Sequence, residues 1–147
     1  KRELIRADRE KTAVGVILAD LDHFKKVNDT HGHLAGDIVL KEAAQRITSA
    51  VREYDAVGRY GGEEFLIVLS GCDEANTVNQ AERIRSILSA APVEAPEAAI
   101  SITTSLGAAS SIEFKEMEAI LRAADAALYR AKRNGRNQVV AASHHAR

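Results

Sequence analysis

Two glutamates, Glu63 and Glu64, stand side by side in the stretch Arg59-Tyr60-Gly61-Gly62-Glu63-Glu64-Phe65. They lead into the apolar run Phe65-Leu66-Ile67-Val68-Leu69, which reads as a strand. Adjacent carboxylates repel one another and lose hydration at such a position, so the pair either takes a cation or stays a solvated acidic turn. This stretch alone leaves both open. A third acid, Asp20, closes another apolar run, Ala13-Val14-Gly15-Val16-Ile17-Leu18-Ala19. A run without polar alternation suits a strand buried on both faces, and an unpaired carboxylate at its end is costly. If the two strands are neighbours, the three acids converge. Hard oxygen ligands of this kind suit Mg²⁺, and two such ions can clamp a phosphoryl displacement. The competing reading is three unrelated surface acids. Lys25, Lys132 and Arg136 could balance a triphosphate, although each by itself reads more readily as a solvated helix end. His23, His31 and His33 fall within eleven residues. With no cysteine nearby, they read as loop or capping histidines rather than a transition-metal site. Arg52 and Asp55, three apart, read as a local ion pair.

The elements that must position these groups follow from periodicity. Charged residues 1–11 around Leu4 and Ile5 suggest the tail of a helix. After the Asp20 strand, residues 23–28 have helical spacing, and residues 28–33 read as loop. A long helix is expected from about Leu34 to Arg52, with Leu40, Ala43, Ile47 and Val51 on one face. Gly61-Gly62 reads as a two-residue hairpin turn, because glycine accepts the positive φ such turns require. A second helix is expected over Glu74 to Ala90, with Val78, Ala81, Ile84 and Leu88 inward. Residues 91–96, bounded by Pro92 and Pro96, read as loop. Ile100 to Ala108 reads as a strand. A third helix runs from about Glu116 to Arg133, with Ile120, Leu121, Ala124 and Leu128 inward, and Asn134-Gly135 stops it. Gln138-Val139-Val140 is a short last strand, and the tail from Ser143 to Arg147 is expected to fray. The order predicts an α+β fold: a single mixed, mostly antiparallel sheet of about five strands plus a hairpin, wrapped by helices.

Bulk properties narrow the class. A chain of 147 residues fits one domain with a real core. A formal charge of −1 argues against a nucleic-acid surface built on bulk charge. The lone Cys72 cannot form an internal disulfide, which points to a reducing compartment. No apolar run approaches the roughly 20 residues a membrane helix needs. The sequence opens on Lys1-Arg2-Glu3 without a Met, as an excised piece of a longer protein would.

Taken together, the motifs resemble one family. RYGGEEF (59–65) is similar to the signature of the GGDEF domain, the diguanylate cyclase family. DLDHFKKVNDTHGHLAGDIVL (20–40) resembles the family's first block, ADAALYRAKRNGRNQV (124–139) its last, and Thr104-Ser105-Leu106-Gly107 the strand motif between them. The likeness spans residues 13 to 141. It departs from many members in lacking the DxLT motif and the asparagine-arginine segment before the first helix, in having Glu63 where the family name has Asp, and in Gly58 before Arg59.

The resemblance implies a fold like the nucleotide-cyclase and polymerase palm domains. It also implies a reaction in which two GTP molecules condense to cyclic di-GMP and two pyrophosphates where two domains meet. Asp20, the main-chain carbonyl of Leu21 and Glu63 would be ligands of Mg²⁺, with Mn²⁺ as an alternative and two ions per site. Glu64 would complete the metal site or help deprotonate the 3′-hydroxyl. Asn28 and Asp37 resemble the guanine-reading pair: guanine's N1–H and amino group suit a carboxylate, and adenine offers no such pair. The main chain of Phe24, the flexible Gly61 and Gly62, and Lys25, Lys132 and Arg136 would hold the triphosphate. Arg52 and Asp55 have the spacing of the family's inhibitory product site, RxxD, and Arg83 falls where a further product-binding arginine is often found. A transient homodimer, an upstream sensory domain and a bacterial cytoplasmic setting are implied as well. Two other readings stay open: a GTP or cyclic di-GMP binding module without turnover, which the two intact glutamates oppose, and a mixed guanine–adenine cyclase, which Asp37 opposes.

Overall fold

A computed structural model describes residues 13–112 and 115–143. The helix tail expected over residues 1–11 and most of the C-terminal tail lie outside them. The elements run β1 (Val14–Leu21), α1 (Phe24–His31), α2 (His33–Ala50), β2 (Ala56–Arg59), β3 (Glu64–Ser70), α3 (Glu74–Ser89), β4 (Val93–Ala95), β5 (Ala98–Ile100), β6 (Thr104–Ser110), α4 (Met117–Arg133) and β7 (Val139–Ala141). Five strands form one sheet in the order β2-β3-β1-β6-β7, and β4 and β5 form a separate two-stranded hairpin. β1 is antiparallel to both neighbours, β2 is antiparallel to β3, and β7 is parallel to β6. Parallel neighbours need a long crossover, and α4 supplies it. The expected mixed sheet with a hairpin is therefore present.

β1 is buried along all eight residues, as its unbroken apolar run requires. Its side chains alternate between two cores. Ile17, Ala19 and Leu21 pack with α2 and α3, whereas Val14, Val16 and Leu18 pack with Ile120, Ala124 and Leu128 of α4. The helices approach closely where the sheet carries glycine. A Cβ on Gly107 would stand 2.1 Å from the Ala124 carbonyl oxygen, and one on Gly15 would stand 2.1 Å from Thr77 Oγ1. Thr77 is thus fully buried, and Val78, expected inward, is only half-buried.

Four local expectations are corrected. Residues 28–31 continue α1, so His31 ends a helix rather than lying in a loop, and Gly32 at φ 91° separates it from α2. Residues 93–95, expected to be loop, pair with 98–100 around a two-residue turn at Pro96-Glu97. Pro92 and Pro96 fit there because they flank a three-residue edge strand instead of interrupting a ladder. The strand expected from Ile100 to Ala108 is two strands, broken at residues 101–103. Finally, the Gly61-Gly62 turn is longer than expected. β2 ends at Arg59 and β3 begins at Glu64, which leaves a four-residue connection, 60–63, closed by the Tyr60 amide on the Glu64 carbonyl at 2.8 Å. Positive φ occurs at Gly32, Gly71 and Gly135, not at Gly61 or Gly62.

Candidate active site

The sheet register brings the acids together. Asp20 lies opposite Glu64 on β3 and opposite Ser105 on β6. Strand side chains alternate, so Asp20 continues the row of Val16 and Leu18 on the α4 face. Glu64 shares that face with Leu66 and Val68. Glu63 is held beside them because its carbonyl accepts the Leu21 amide at 3.2 Å. Asp20 is only 5 % exposed, and its carboxylate meets Lys132 Nζ of α4 at 2.5 Å. Burial first, and then the charge of Asp20, pushes the pKa of Glu63 and of Glu64 above the ordinary carboxylate value, while Lys132 pulls the other way. Asp125, exposed on α4, adds to the upward push on Glu64.

Three carboxyl groups crowded around one lysine are a donor set short of positive charge. That chemistry fits a hard divalent cation. Among the described residues, no group of three or more His, Cys, Asp or Glu side chains is arranged to hold a metal ion unaided.

A cavity of about 410 Å³ opens next to the acids, lined by Phe24, Lys25, Asp29, Glu63 and Arg136 together with His23 and Lys26. Lys25, Phe24, Glu63 and Arg136 are thus brought together. Lys25 is exposed and engages Asp29 one turn on at 3.0 Å, a surface pair of little energetic weight. Lys132 stands apart, on Asp20. Nothing lies within 4 Å of a Cβ built on Gly62, so that side of the turn is open. The Arg59 guanidinium donates to the carbonyls of Gly61 and Gly62 and braces the turn.

Of the expected base-reading residues, Asn28 stands on α1 against Gly36 of α2, the residue before Asp37. Asn28 Oδ1 is buried and has no hydrogen-bond partner, which is costly unless a ligand supplies a donor. Gly36 makes room for it: a Cβ there would stand 1.9 Å from Asn28 Oδ1. Asp37, next in α2, is exposed.

Arg52 and Asp55 form a separate cluster at the other end of β3. The Asp55 side chain is 0 % exposed and accepts the Arg52 amide at 3.0 Å, Arg52 Nε at 3.1 Å and the Ser70 amide at 3.1 Å. Arg52 also donates to the Ser70 carbonyl at 2.7 Å and lies 4.7 Å from the Tyr54 ring centre. The hydrogen bond to Asp55 is the main reason its pKa is raised. Burial pushes the neighbouring Cys72 thiol up. Arg83 is exposed on α3. The expected local ion pair is present, and it also ties the α2–β2 turn to β3.

Sequence reasoning missed Asp22, buried among hydroxyl and amide donors just after β1. Its signal was available, since it repeats the acid of Asp20 two positions on. Gly36, Arg59 and Asp125 were also overlooked, and each acts through a contact that spacing alone does not reveal.

The chain belongs to the GGDEF family. The family model described as "Diguanylate cyclase, GGDEF domain" matches residues 1–138. Among curated proteins, the diguanylate cyclase DosC of Escherichia coli K12 is 43 % identical over 140 residues, covering 95 % of this chain and 30 % of that protein. The response regulator PleD of Caulobacter vibrioides is 44 % identical over 130 residues, covering 86 % of this chain and 29 % of its own length. The chain therefore spans about a third of these relatives. The crystal structure of the GGDEF domain of DgcB from Caulobacter crescentus, in complex with c-di-GMP, superposes with a TM-score of 0.90 at 33 % identity, covering 97 % of this chain and 85 % of that one. The expected family and fold are borne out, and the relatives named diguanylate cyclase agree with the expected class of enzyme.

Proposed function

We propose that this domain condenses two GTP into cyclic di-GMP and two pyrophosphates, each of two facing copies holding one substrate. The observation that carries this reading is the convergence of Asp20, Glu63 and Glu64 beside a cavity that also contains Lys25 and Arg136. A hard divalent ion held by Asp20, Glu63 and the Leu21 carbonyl would polarise the phosphate oxygens and help ionise the attacking hydroxyl. The chain's own groups do the rest. Asn28 and Asp37 read the guanine edge, and the unpartnered Asn28 Oδ1 accepts from it. Lys25, Arg136 and the Phe24 main chain hold the triphosphate, and the open face of Gly62 lets backbone come close. Lys132 neutralises Asp20 and, when substrate enters, turns to phosphate. Glu64, its pKa raised, takes the 3′-hydroxyl proton. That oxygen attacks the α-phosphate held on the facing copy, and pyrophosphate leaves. Product collects at Arg52, Asp55 and Arg83 and restrains turnover.

The domain would work in the bacterial cytoplasm behind a sensory segment that controls pairing. None of its described helices is long and apolar enough to cross a membrane. The deciding experiment is incubation with GTP and Mg²⁺ and chromatography of the products. Cyclic di-GMP should form, and Glu64→Gln should abolish it. GTP bound without turnover would instead favour the binding-module reading, and equal incorporation of ATP would overturn the guanine assignment.

A further inference from the structure

Asp22 is 7 % exposed and lies immediately beyond β1, yet it has no part in the reaction described above. Its carboxylate accepts three hydrogen bonds: from Ser105 Oγ at 2.6 Å, from Thr103 Oγ1 at 2.7 Å and from the Asn137 amide at 3.0 Å. Its own amide donates to the Thr103 carbonyl at 2.9 Å. The two hydroxyls could accept as well as donate, but the Asn137 amide can only donate, and the carboxylate's two oxygens take all three bonds at once.

The third donor has a consequence for the cavity. Arg136 and Asn137 sit at φ 66° and 49°, a left-handed conformation that residues with a Cβ seldom adopt and that persists only where surroundings impose it. His23, directly after Asp22, is the remaining non-glycine of this kind among the described residues, at φ 58°. All three therefore cluster on Asp22. The turn they shape joins α4, which ends one residue after Lys132, to β7. The Arg136 amide caps the Ala131 carbonyl at 2.9 Å, and Arg85 Nη1 of α3 holds Asn137 Oδ1 at 2.9 Å. The turn is thus pinned from two sides, with Arg136 at the cavity between them.

We propose that Asp22 is a positioning residue: by holding the Asn137 amide it sets the α4–β7 turn so that Arg136, with Lys132 a turn earlier, faces the β- and γ-phosphates. The inference rests on the reading of this cavity as a triphosphate site. Two probes that cannot turn over separate the halves of the substrate. GMP carries the guanine and no pyrophosphate, and pyrophosphate carries the reverse. Calorimetry with each, in Mg²⁺, compares the natural protein with Asp22→Ala, which removes the acceptor of the Asn137 amide, whereas Asn would keep an oxygen for it. Pyrophosphate affinity should fall by about tenfold or more, as expected for a lost bond to a charged group, while GMP affinity stays within about twofold. Steady-state kinetics should show KM for GTP rising more than kcat falls.

Equal loss for both probes, or no loss for pyrophosphate, overturns the proposal. If Asp22→Ala does not fold, Thr103→Val, near-isosteric and lacking the hydroxyl that shares the Asp22 oxygen with the Asn137 amide, must shift the pyrophosphate-to-GMP ratio in the same direction, and an unchanged ratio overturns it as well. A natural protein that binds GMP but not pyrophosphate refutes Asp22's role while leaving the guanine assignment intact. One that binds neither refutes the substrate reading itself.

Discussion

Glu63 and Glu64 carry an electrostatic cost. Their pKa values are raised by burial and by Asp20, so the folded protein holds their protons more tightly than the unfolded chain does. The sign follows from linkage. Above the raised values the charged glutamates destabilise the metal-free fold, and stability recovers as pH falls through those values toward the ordinary carboxylate range. Glu63→Gln and Glu64→Gln should therefore raise the melting temperature of metal-free protein at pH 7–8 while abolishing turnover, and the gain should shrink on acidification. Calorimetric melts at several pH values, with EDTA and then with Mg²⁺, check this; a melting temperature lowered by both variants would contradict it. Asp55 has the opposite character. Its shielded carboxylate satisfies the Arg52 and Ser70 amides, so Asp55→Ala should cost about 1–3 kcal/mol by leaving them unpaired. Arg52→Ala should cost a similar amount, about 1–3 kcal/mol, because it leaves the shielded Asp55 carboxylate without its cation and the Ser70 carbonyl without its donor. Arg52→Lys, which keeps a cation beside Asp55 but loses the two-pronged guanidinium, is thus the cleaner test of product binding: cyclic di-GMP affinity should drop with a smaller change in melting temperature than Arg52→Ala gives, and unaltered affinity would remove Arg52 from the product site.

At the scale of elements, the α4–sheet contact is the joint that places Lys132 on Asp20. Gly107 allows that contact. Its missing Cβ would meet main-chain atoms, the Ala124 oxygen at 2.1 Å and the Leu128 nitrogen at 2.4 Å, and main chain cannot rotate aside. Gly107→Ala should destabilise by about 1–3 kcal/mol or more and weaken turnover by displacing Lys132, as urea melts and product assays would report. Gly36 plays the same part between α1 and α2. There the obstructed group is the Asn28 side chain, so Gly36→Ala should reduce GMP binding more than pyrophosphate binding. The helices and the sheet strands were legible because their apolar periods are strong. The hairpin of β4 and β5 was not: three-residue strands beside two prolines carry too little pattern to outweigh the loop signal. Residues 28–31 carry loop-forming side chains, yet they remain helical because α1 packs against α2.

On the scale of the whole molecule, the acid cluster and the Arg52–Asp55 cluster occupy opposite ends of β3, about 20 Å apart for a strand of this length. On the proposed reading, product held at one end would not occupy the other, so inhibition would act through pairing or restraint of copies rather than competition. If two half-sites must meet, specific activity should rise with protein concentration in the micromolar range. A rate per molecule independent of concentration would contradict the two-copy reading. The sequence by itself determined the family and the candidate groups: the acid pair at the turn, the acid ending a buried strand, the cations and the motifs that unite them, since residue type and spacing are local properties. Only the tertiary structure decided which face each group occupies. β1 is apolar on both sides, so no alternation in its sequence states that Asp20 faces α4. The pairing of Asp20 with Glu64 and its contact with Lys132 depend on strand register and on a helix 112 residues further along the chain. The Gly61-Gly62 turn also proved to be an open four-residue loop braced by Arg59, because side-chain bonds to its carbonyls, not positive φ at glycine, hold its shape.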